Sequence, residues 1–494
     1  VKLIYIDPPY NTGNDFIYED DFAESTSEFL TRSNQSDELG GRLVANTESN
    51  GRFHSDWLSM MYARLKLARK LLADEGVIFI SIDDRESHAL KKLCDEVFGE
   101  DQFRANVVWR RTVSGAVSGQ GFGVSHDHIL CYTRTRDTEL AKLPIDDTSG
   151  YNNPDSDPRG VYKTQKLERT LEGARPTMTF EIVSEYGAIT RTWAVSRGKF
   201  EELLADNRIV FSKSGLPYYK QFLSEFSGRL PDTIWDKSAG NNQEGSKELT
   251  HLFGEKNLFT NPKPTKLLRQ IIQIGGMKPD CIVLDFFAGS GTTAHAVMAQ
   301  NAADGGSRRF VTVQLPEETG AETDAHKAGF RTIAEISKER ICRAGKKVLE
   351  SDCHEGWNRD VGFRVLKIDS SNMTEVFYRP DEVKQDELFG QVDSVKPDRT
   401  AEDLLFQVLI DWGVELTLPI NRETLHGKTV YSVDGDALIA CFESGVTDDL
   451  VKDIAARSPL RAVFRDTSFA RDADRINAEQ LFRQLSPGTE LKAI

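Results

Sequence analysis

The sequence predicts an α/β fold on a mostly parallel sheet, with an insertion in its middle and a smaller α/β block toward the carboxyl end. Two observations predict the sheet: short apolar runs alternate with stretches of helical period over the first hundred residues, and the alternation resumes after about residue 250. A third predicts the insertion, because the sequence between is polar and broken by glycine and proline.

Taken in order, LIYI (3–6) reads as a short buried strand. Leu58, Met61, Leu65, Ala68 and Leu72 recur at steps of three and four, as one face of a helix demands, and Gly76 stops that helix. VIFISI (77–82) is a second strand ending in Asp83 and Asp84, for which capping the strand end is the expected role. Leu90, Leu93, Cys94, Val97 and Phe98 mark one side of the next helix, closed by Gly99. From about 104 to 250, segments such as SGAVSGQGFG and YNNPDSDPRG suggest a largely β or irregular inserted domain. A helix opened by the prolines of NPKPTK follows, then the strand CIVLDF (281–286), the turn FAGSG, a helix, the strand RRFVTVQL (308–315) and a helix from about Ile333 to Lys347. After about 356, strands are expected near 429–433, 437–442 and 460–465, and helices near 401–411, 447–457 and 474–485. The domain plan is therefore 1–103 and 251–355 as two parts of one sheet domain, 104–250 as the insertion and 356–494 as a separate block.

At 494 residues the chain exceeds what one core organises. Six scattered cysteines with no C-x-x-C pair fit a reducing, cytoplasmic setting and argue against a structural metal. No apolar run approaches the roughly 20 residues that span a bilayer, so no membrane partner is expected. The net charge of −15 offers no general attraction to nucleic acid, yet Arg104, Arg110, Arg111, Arg134 and Arg136 face only Asp127 within their stretch, enough for a local basic surface.

Two motifs carry chemistry. The strand 281–286 runs through Phe287, Ala288, Gly289, Ser290, Gly291, Thr292 and Thr293 into a helix, the position where open α/β sheets bind ligands. The glycines allow close backbone approach, Asp285 can hold a cationic amino group, and helix N-terminal amides can face a carboxylate. That combination suits the zwitterionic end of S-adenosyl-L-methionine, and the lack of a Gly-Lys-Ser/Thr ending disfavours a phosphate cradle. Asp7-Pro8-Pro9-Tyr10 also follows a strand, which puts it at the same sheet edge. Asp7 and the Pro8 carbonyl would accept from the two N–H groups of an exocyclic amine, the prolines fix that carbonyl, and Tyr10 offers a face to an extruded base.

The run YIDPPYNTGN, followed by HSDWLSMM, GVIFISIDD, NPKPTKLL and LDFFAGSGTTAHAV, resembles the β-group amino methyltransferases of DNA, and specifically the modification subunits of Type III restriction systems. The resemblance implies a Rossmann-like S-adenosyl-L-methionine-dependent fold with permuted motif order. It assigns Asp7, Pro8, Pro9 and Tyr10 to the target adenine, and Asp285, Phe286, Ala288, Gly289, Ser290, Gly291 and Thr292 to the cofactor. Asn261, Lys263 and Thr265 fall where the family places a further cofactor-binding helix, and Glu317 is a candidate for the ribose hydroxyls. Target recognition is placed between His126-Asp127-His128-Ile129-Leu130 and NPKPT, with YNNPDSDPRG offering Asn, Arg and aromatic groups to DNA. The two histidines are not read as a metal site, since an i, i+2 pair needs further ligands. Implied partners are double-stranded DNA, a second copy of the chain and a restriction helicase-nuclease subunit, with the block after 356 serving assembly. Family members carry a Gly-Asp-Asn-like stretch upstream of the catalytic motif, so a preceding segment is expected beside the cofactor. Three other readings compete: an N4-cytosine methyltransferase, which more often carries Ser-Pro-Pro-Tyr; a non-catalytic DNA-recognition subunit; and a nicotinamide oxidoreductase, which leaves Asp7 to Tyr10 unexplained.

Overall fold

The structure, a computed structural model, describes residues 1–12, 53–113, 122–144, 148–169, 176–225, 228–276, 278–374 and 395–494. Gly13 and Asn14 of the first motif and residues 114–121 of SGAVSGQGFG lie outside them. Two compact units divide the chain, Val1–Phe363 and Arg364–Ile494.

The first unit begins β1 (Leu3–Ile6), α1 (Phe53–Leu71), β2 (Val77–Ile82), α2 (Ser87–Phe98), β3 (Phe103–Arg110) and β4 (His126–Thr133). The middle of the chain supplies β5 (Tyr162–Lys166), β6 (Thr179–Ser184), β7 (Gly187–Thr192), α3 (Arg197–Ala205), β8 (Ile209–Phe211) and β9 (Pro217–Phe222). The unit continues with β10 (Ile234–Trp235), α4 (Asn242–Phe253), α5 (Thr265–Gly275), β11 (Ile282–Asp285), α6 (Thr292–Asp304), β12 (Arg309–Thr312) and α7 (Ile333–Leu349). Seven strands form one sheet in the order β10-β3-β4-β2-β1-β11-β12, and only β4 runs against the rest. Because alternate side chains of a strand face opposite ways, Leu3, Tyr5, Val77 and Phe79 enter one core with Leu267 and Ile271 of α5, while Ile4, Ile6, Ile78 and Ile80 enter the other with Trp57 and Met61 of α1. Burial on both faces is why LIYI and VIFISI are continuous apolar runs. Gly99 ends α2 at φ 103°, a conformation that favours glycine.

Of the segment 104–250, β3, β4 and β10 belong to this sheet, whereas β5, β9 and β8 form a three-stranded sheet and β6 and β7 a hairpin. Leu167, Phe180, Trp193 and Phe200 make the small core of that inserted part. YNNPDSDPRG is spent on itself: Asn153 and Asp157 exchange side-chain and backbone hydrogen bonds at 2.7 and 2.8 Å. Arg159 forks onto Asp157 at 2.8 and 2.9 Å, and the buried Lys220 reaches the same carboxylate at 3.0 Å. Of the Asn and Arg expected to meet DNA, Asn153 and Arg159 have polar atoms engaged in closing a turn, while Asn152 is exposed.

The second unit contains α8 (Ala401–Asp411), β13 (Ile420–Leu425), β14 (Lys428–Val433), β15 (Leu438–Cys441), α9 (Asp448–Ala456), β16 (Arg461–Phe464), α10 (Asp472–Leu485) and β17 (Glu490–Ala493). Its sheet runs β13 to β17 in order, antiparallel through β15 and parallel after it. The edge strands β13 (INRETL) and β17 (ELKA) lack the apolar run that marks the inner three, so sequence patterning does not announce them. Among the described residues no helix is long and apolar enough to cross a membrane.

Candidate active site

Strand pairing builds the site. β1 lies between β2 and β11, all parallel, with Leu3 opposite Val283 and Ile4 opposite Leu284. The chain leaves β1 for one side of the sheet and returns on the other, so the carboxyl ends of β1 and β11 flank a switch point of the topology. Asp7-Pro8-Pro9-Tyr10 follows the first and Phe286 to Thr292 the second.

At the β1 edge, Trp57 Nε1 donates to the Pro9 carbonyl at 2.8 Å, which pins the Pro-Pro turn from α1. Among the described residues none donates to the Pro8 carbonyl, leaving it as an open acceptor. Tyr10 Oη donates to Asp7 Oδ1 at 2.9 Å and lies 3.5 Å from Asp127 Oδ2 on β4. Lys263 binds both oxygens of Asp7, at 2.7 and 2.6 Å, and Tyr10 Oη at 3.1 Å. Its ammonium also stands 5.2 Å from the centre of the Tyr10 ring. Asp127 is 1% exposed with Arg111 Nε 3.2 Å away, and burial pushes its carboxyl up to about 6 against the pull of Lys263 and Arg111. Behind the turn, buried Glu86 accepts from Asn11 Nδ2 at 2.7 Å and meets His54 Nδ1.

At the β11 edge, Asp285 is 3% exposed, accepting from the Phe287 amide at 3.0 Å and from the Thr293 hydroxyl. Burial pushes its carboxyl up to about 7, and among the described residues no cation pairs with it. Gly289 stands at φ 52°, its amide donating to Gln314 Oε1 at 2.7 Å, and a side chain there would meet the Phe259 ring at 3.1 Å. Gly291, at φ 79°, is also constrained by packing: a Cβ would come 2.7 Å from Ser337 Oγ of α7. The Ser290 and Thr292 hydroxyls accept from Arg340 Nη1 at 2.7 and 2.6 Å. Arg340 is fully buried, and burial pushes its guanidinium down to about 10.

The NPKPT segment divides. Asn261 is exposed at φ 50°, and Thr265 begins α5 with its amide and hydroxyl both donating to Glu248 Oε2, at 2.9 and 2.6 Å. Lys263, between them, reaches the β1 edge instead. β12 ends at Thr312, three residues before the expected end, so Glu317 stands in the following loop, where its carbonyl accepts from the Ile333 amide at 2.9 Å. Gln314 is the residue of that loop that reaches Gly289. The basic stretch is partly consumed: Arg104 binds the Thr133 hydroxyl at 2.8 Å and three backbone carbonyls, and Arg111 faces Asp127. Sequence reasoning missed Trp57, Asp127, Gln314 and Arg340 as parts of the site; HSDW and the alternation of His126, Asp127 and His128 were the available signals for the first two.

A carboxylate, an aromatic ring and a glycine loop thus meet at the switch point of an open sheet, the place where α/β folds of this class bind ligands. The chain belongs to the DNA methylase family, whose family model matches residues 1–319. It is 40% identical over 372 residues to the Type III restriction-modification enzyme StyLTI Mod subunit of Salmonella typhimurium, covering 74% of this chain and 56% of that protein. It is 34% identical over 402 residues to the EcoPI Mod subunit of Escherichia phage P1, covering 74% and 61%. To the EcoP15I Mod subunit of Escherichia coli it is 30% identical over 526 residues, covering 95% and 78%. The chain thus spans 56% and 61% of the first two relatives' lengths. Among solved structures it is similar to the PvuII DNA methyltransferase (cytosine-N4-specific), at 12% identity and a TM-score of 0.31, covering 68% of this chain and 84% of that one.

Replacing Gly291 with alanine should lower stability by about 1–3 kcal/mol, from the left-handed backbone and the contact with Ser337. In urea denaturation, Ser337→Ala in the same chain should return part of that loss. Strict additivity of the two substitutions would remove the contact as its cause.

Proposed function

We propose that the protein is a site-specific DNA methyltransferase that modifies N6 of adenine in duplex DNA, as the modification subunit of a Type III restriction-modification system. The observation that carries this reading is the pairing of β1 with β11, which sets Asp7-Pro8-Pro9-Tyr10 beside the loop after Asp285. The Type III Mod relatives support it, and Asp7 in place of serine favours adenine over cytosine.

Asp285 fits S-adenosyl-L-methionine: a buried carboxylate with two neutral donors and no cation among the described residues suits the ammonium of the methionine part. Phe286, Ala288, Gly289 and the start of α6 would hold the rest, and the bound sulfonium supplies the methyl group. The base must leave the duplex stack to reach this edge. An adenine amine is a poor nucleophile because its lone pair is delocalised into the ring. Asp7 Oδ and the open Pro8 carbonyl would each accept one N6 hydrogen, favouring a pyramidal nitrogen whose lone pair points at the methyl group. Pro8 and Pro9 bring no N–H donor to compete, and Trp57 keeps the turn still. The proton that N6 must lose on taking the methyl group would lie at the Asp7 carboxyl, next to Tyr10 Oη.

Lys263 holds the position that the amine must take on Asp7, so we assign it to the catalytic edge rather than to the cofactor, its role being to hold the Asp7 carboxyl aimed until the base arrives. Asp7→Asn should lower methyl transfer to DNA about a hundredfold or more with cofactor affinity unchanged. Lys263→Met should likewise lower kcat and spare the cofactor Kd, measured by radiolabelled transfer and calorimetry on one preparation. A change confined to cofactor Kd would return Lys263 to the cofactor site.

An ammonium binds only the ionised form of Asp285, whose carboxyl loses its proton near pH 7. Cofactor affinity should therefore rise as pH increases through about 7, then fall as an α-amino group near 7.7–8.0 loses its own proton. Asp285→Asn should weaken binding and abolish the rising limb; a rising limb that survives would place the ammonium elsewhere.

The second unit holds no motif of its own, and we assign it to assembly with a second copy or a restriction subunit. A chain ending at Phe363 should keep cofactor binding and lose dimerisation or capture of that subunit, by light scattering and pull-down. A truncated chain that still does both would refute this assignment.

A further inference from the structure

β4 carries Asp127 toward the catalytic edge, so period two sends His126 and His128 to the opposite face of the sheet. There β2 and β3 bring them company. Ile82 pairs with His128, which places Asp84, just past the end of β2, above the same face. His128 Nε2 stands 2.8 Å from Asp84 Oδ1, and His126 Nε2 stands 3.8 Å from the same oxygen. The three ligand atoms lie within 4.8 Å of one another. Two donors on one ion at about 2.0–2.2 Å are separated by roughly 3–3.5 Å, so a rotation of partly exposed side chains by about an ångström closes the set.

A second observation concerns the other nitrogen of His128. Its Nδ1 stands 3.1 Å from Asn106 Oδ1 on β3, an acceptor, so Nδ1 carries the hydrogen. Nε2 is then the ring atom left to face Asp84, as a lone pair able to ligate a cation or as the N–H of an ion pair. A ligating imidazole that donates its other N–H to a fixed oxygen is the usual support of a metal-binding histidine. Arg110, opposite His126 in the ladder, does not compete for Asp84: its guanidinium turns to the carbonyls of Thr112 and Val113, at 3.3 and 3.4 Å.

We propose that Asp84, His126 and His128 bind one divalent first-row transition cation of the zinc class, with Asn106 orienting His128 and the remaining coordination positions open to solvent. Two imidazoles and one carboxylate suit zinc, iron, cobalt or nickel rather than magnesium or calcium. The ion would tie the end of β2 to β4, the strand that carries Asp127, on the opposite face of that strand from Asp127.

Zinc chloride titrated into the full chain by calorimetry should show one ion per chain, and cobalt chloride should produce a visible d–d band that zinc removes. Asp84→Asn, His126→Gln and His128→Ala should each weaken zinc at least tenfold, and Asn106→Ala about tenfold through the support it withdraws. His126 and Asp84 are 35% and 55% exposed, so those two variants should keep the thermal melt of the parent in chelator. Absence of stoichiometric binding by the parent would show a plain His-Asp ion pair and overturn the proposal. Equal affinity of all variants would also overturn it, by tracing the metal to another group such as the exposed Cys342.

Discussion

Parallel pairing of β1 with β11 sets two carboxylates at neighbouring strand ends, Asp7 half-exposed and Asp285 buried, and Asp7 adds to the burial that holds the Asp285 carboxyl up near 7. Like charges in a partly dry cleft demand cations. Among the described residues Lys263 is the cation bound to Asp7, and it reaches Tyr10 as well. Asp285 has none among the described residues, which leaves room for an ammonium brought by a ligand. On the proposed function, the division of labour between the two strand ends follows from where the fold puts Lys263: one carboxylate would be kept for a base, the other for a cofactor.

The rigid parts of the site come from the faces of the sheet. α1 sends Trp57 to the turn after β1, and α7 sends Arg340 to the turn after β11, each bonding to groups that the adjoining loop leaves unpaired. Arg340 illustrates the cost of such an arrangement. A guanidinium with no exposure, two nitrogens lacking partners and a carboxylate, that of Glu248, only at 3.8 Å is a poor contributor to stability, yet it holds Ser290 and Thr292 in one arrangement. Specific placement of the loop is what that burial supports.

Much of this was legible in the sequence because the relevant signals are local. LIYI and VIFISI are buried on both faces and so read as unbroken apolar runs, and the two motifs that follow β1 and β11 announce themselves by residue type and spacing. What escaped depends on tertiary geometry. Nothing near NPKPT says that its lysine crosses to a residue 256 positions away, and the resemblance placed it on the cofactor. Gly291 carries a packing constraint that the sequence does not announce, since the helix that would collide with its Cβ lies some forty residues on. The turn that Asn153, Asp157 and Arg159 close within YNNPDSDPRG was not read from the sequence, and Lys220, which joins it, comes from a distant strand. Asp84 and His128, too, meet only through the β2 and β4 register.

The same pairing that creates the site also shapes how the chain reaches its fold. β1 is an inner strand whose second neighbour, β11, comes about 280 residues later, an interval that includes the whole inserted part. During synthesis at ~5–20 residues per second, one edge of a fully apolar strand stays without its partner for on the order of tens of seconds. Contacts of such long sequence separation form slowly, and an open apolar edge is a template for pairing with other chains. The hazard of aggregation through β1 therefore grows with the time taken to make the inserted part, so slow synthesis lengthens the interval in which that edge stands open.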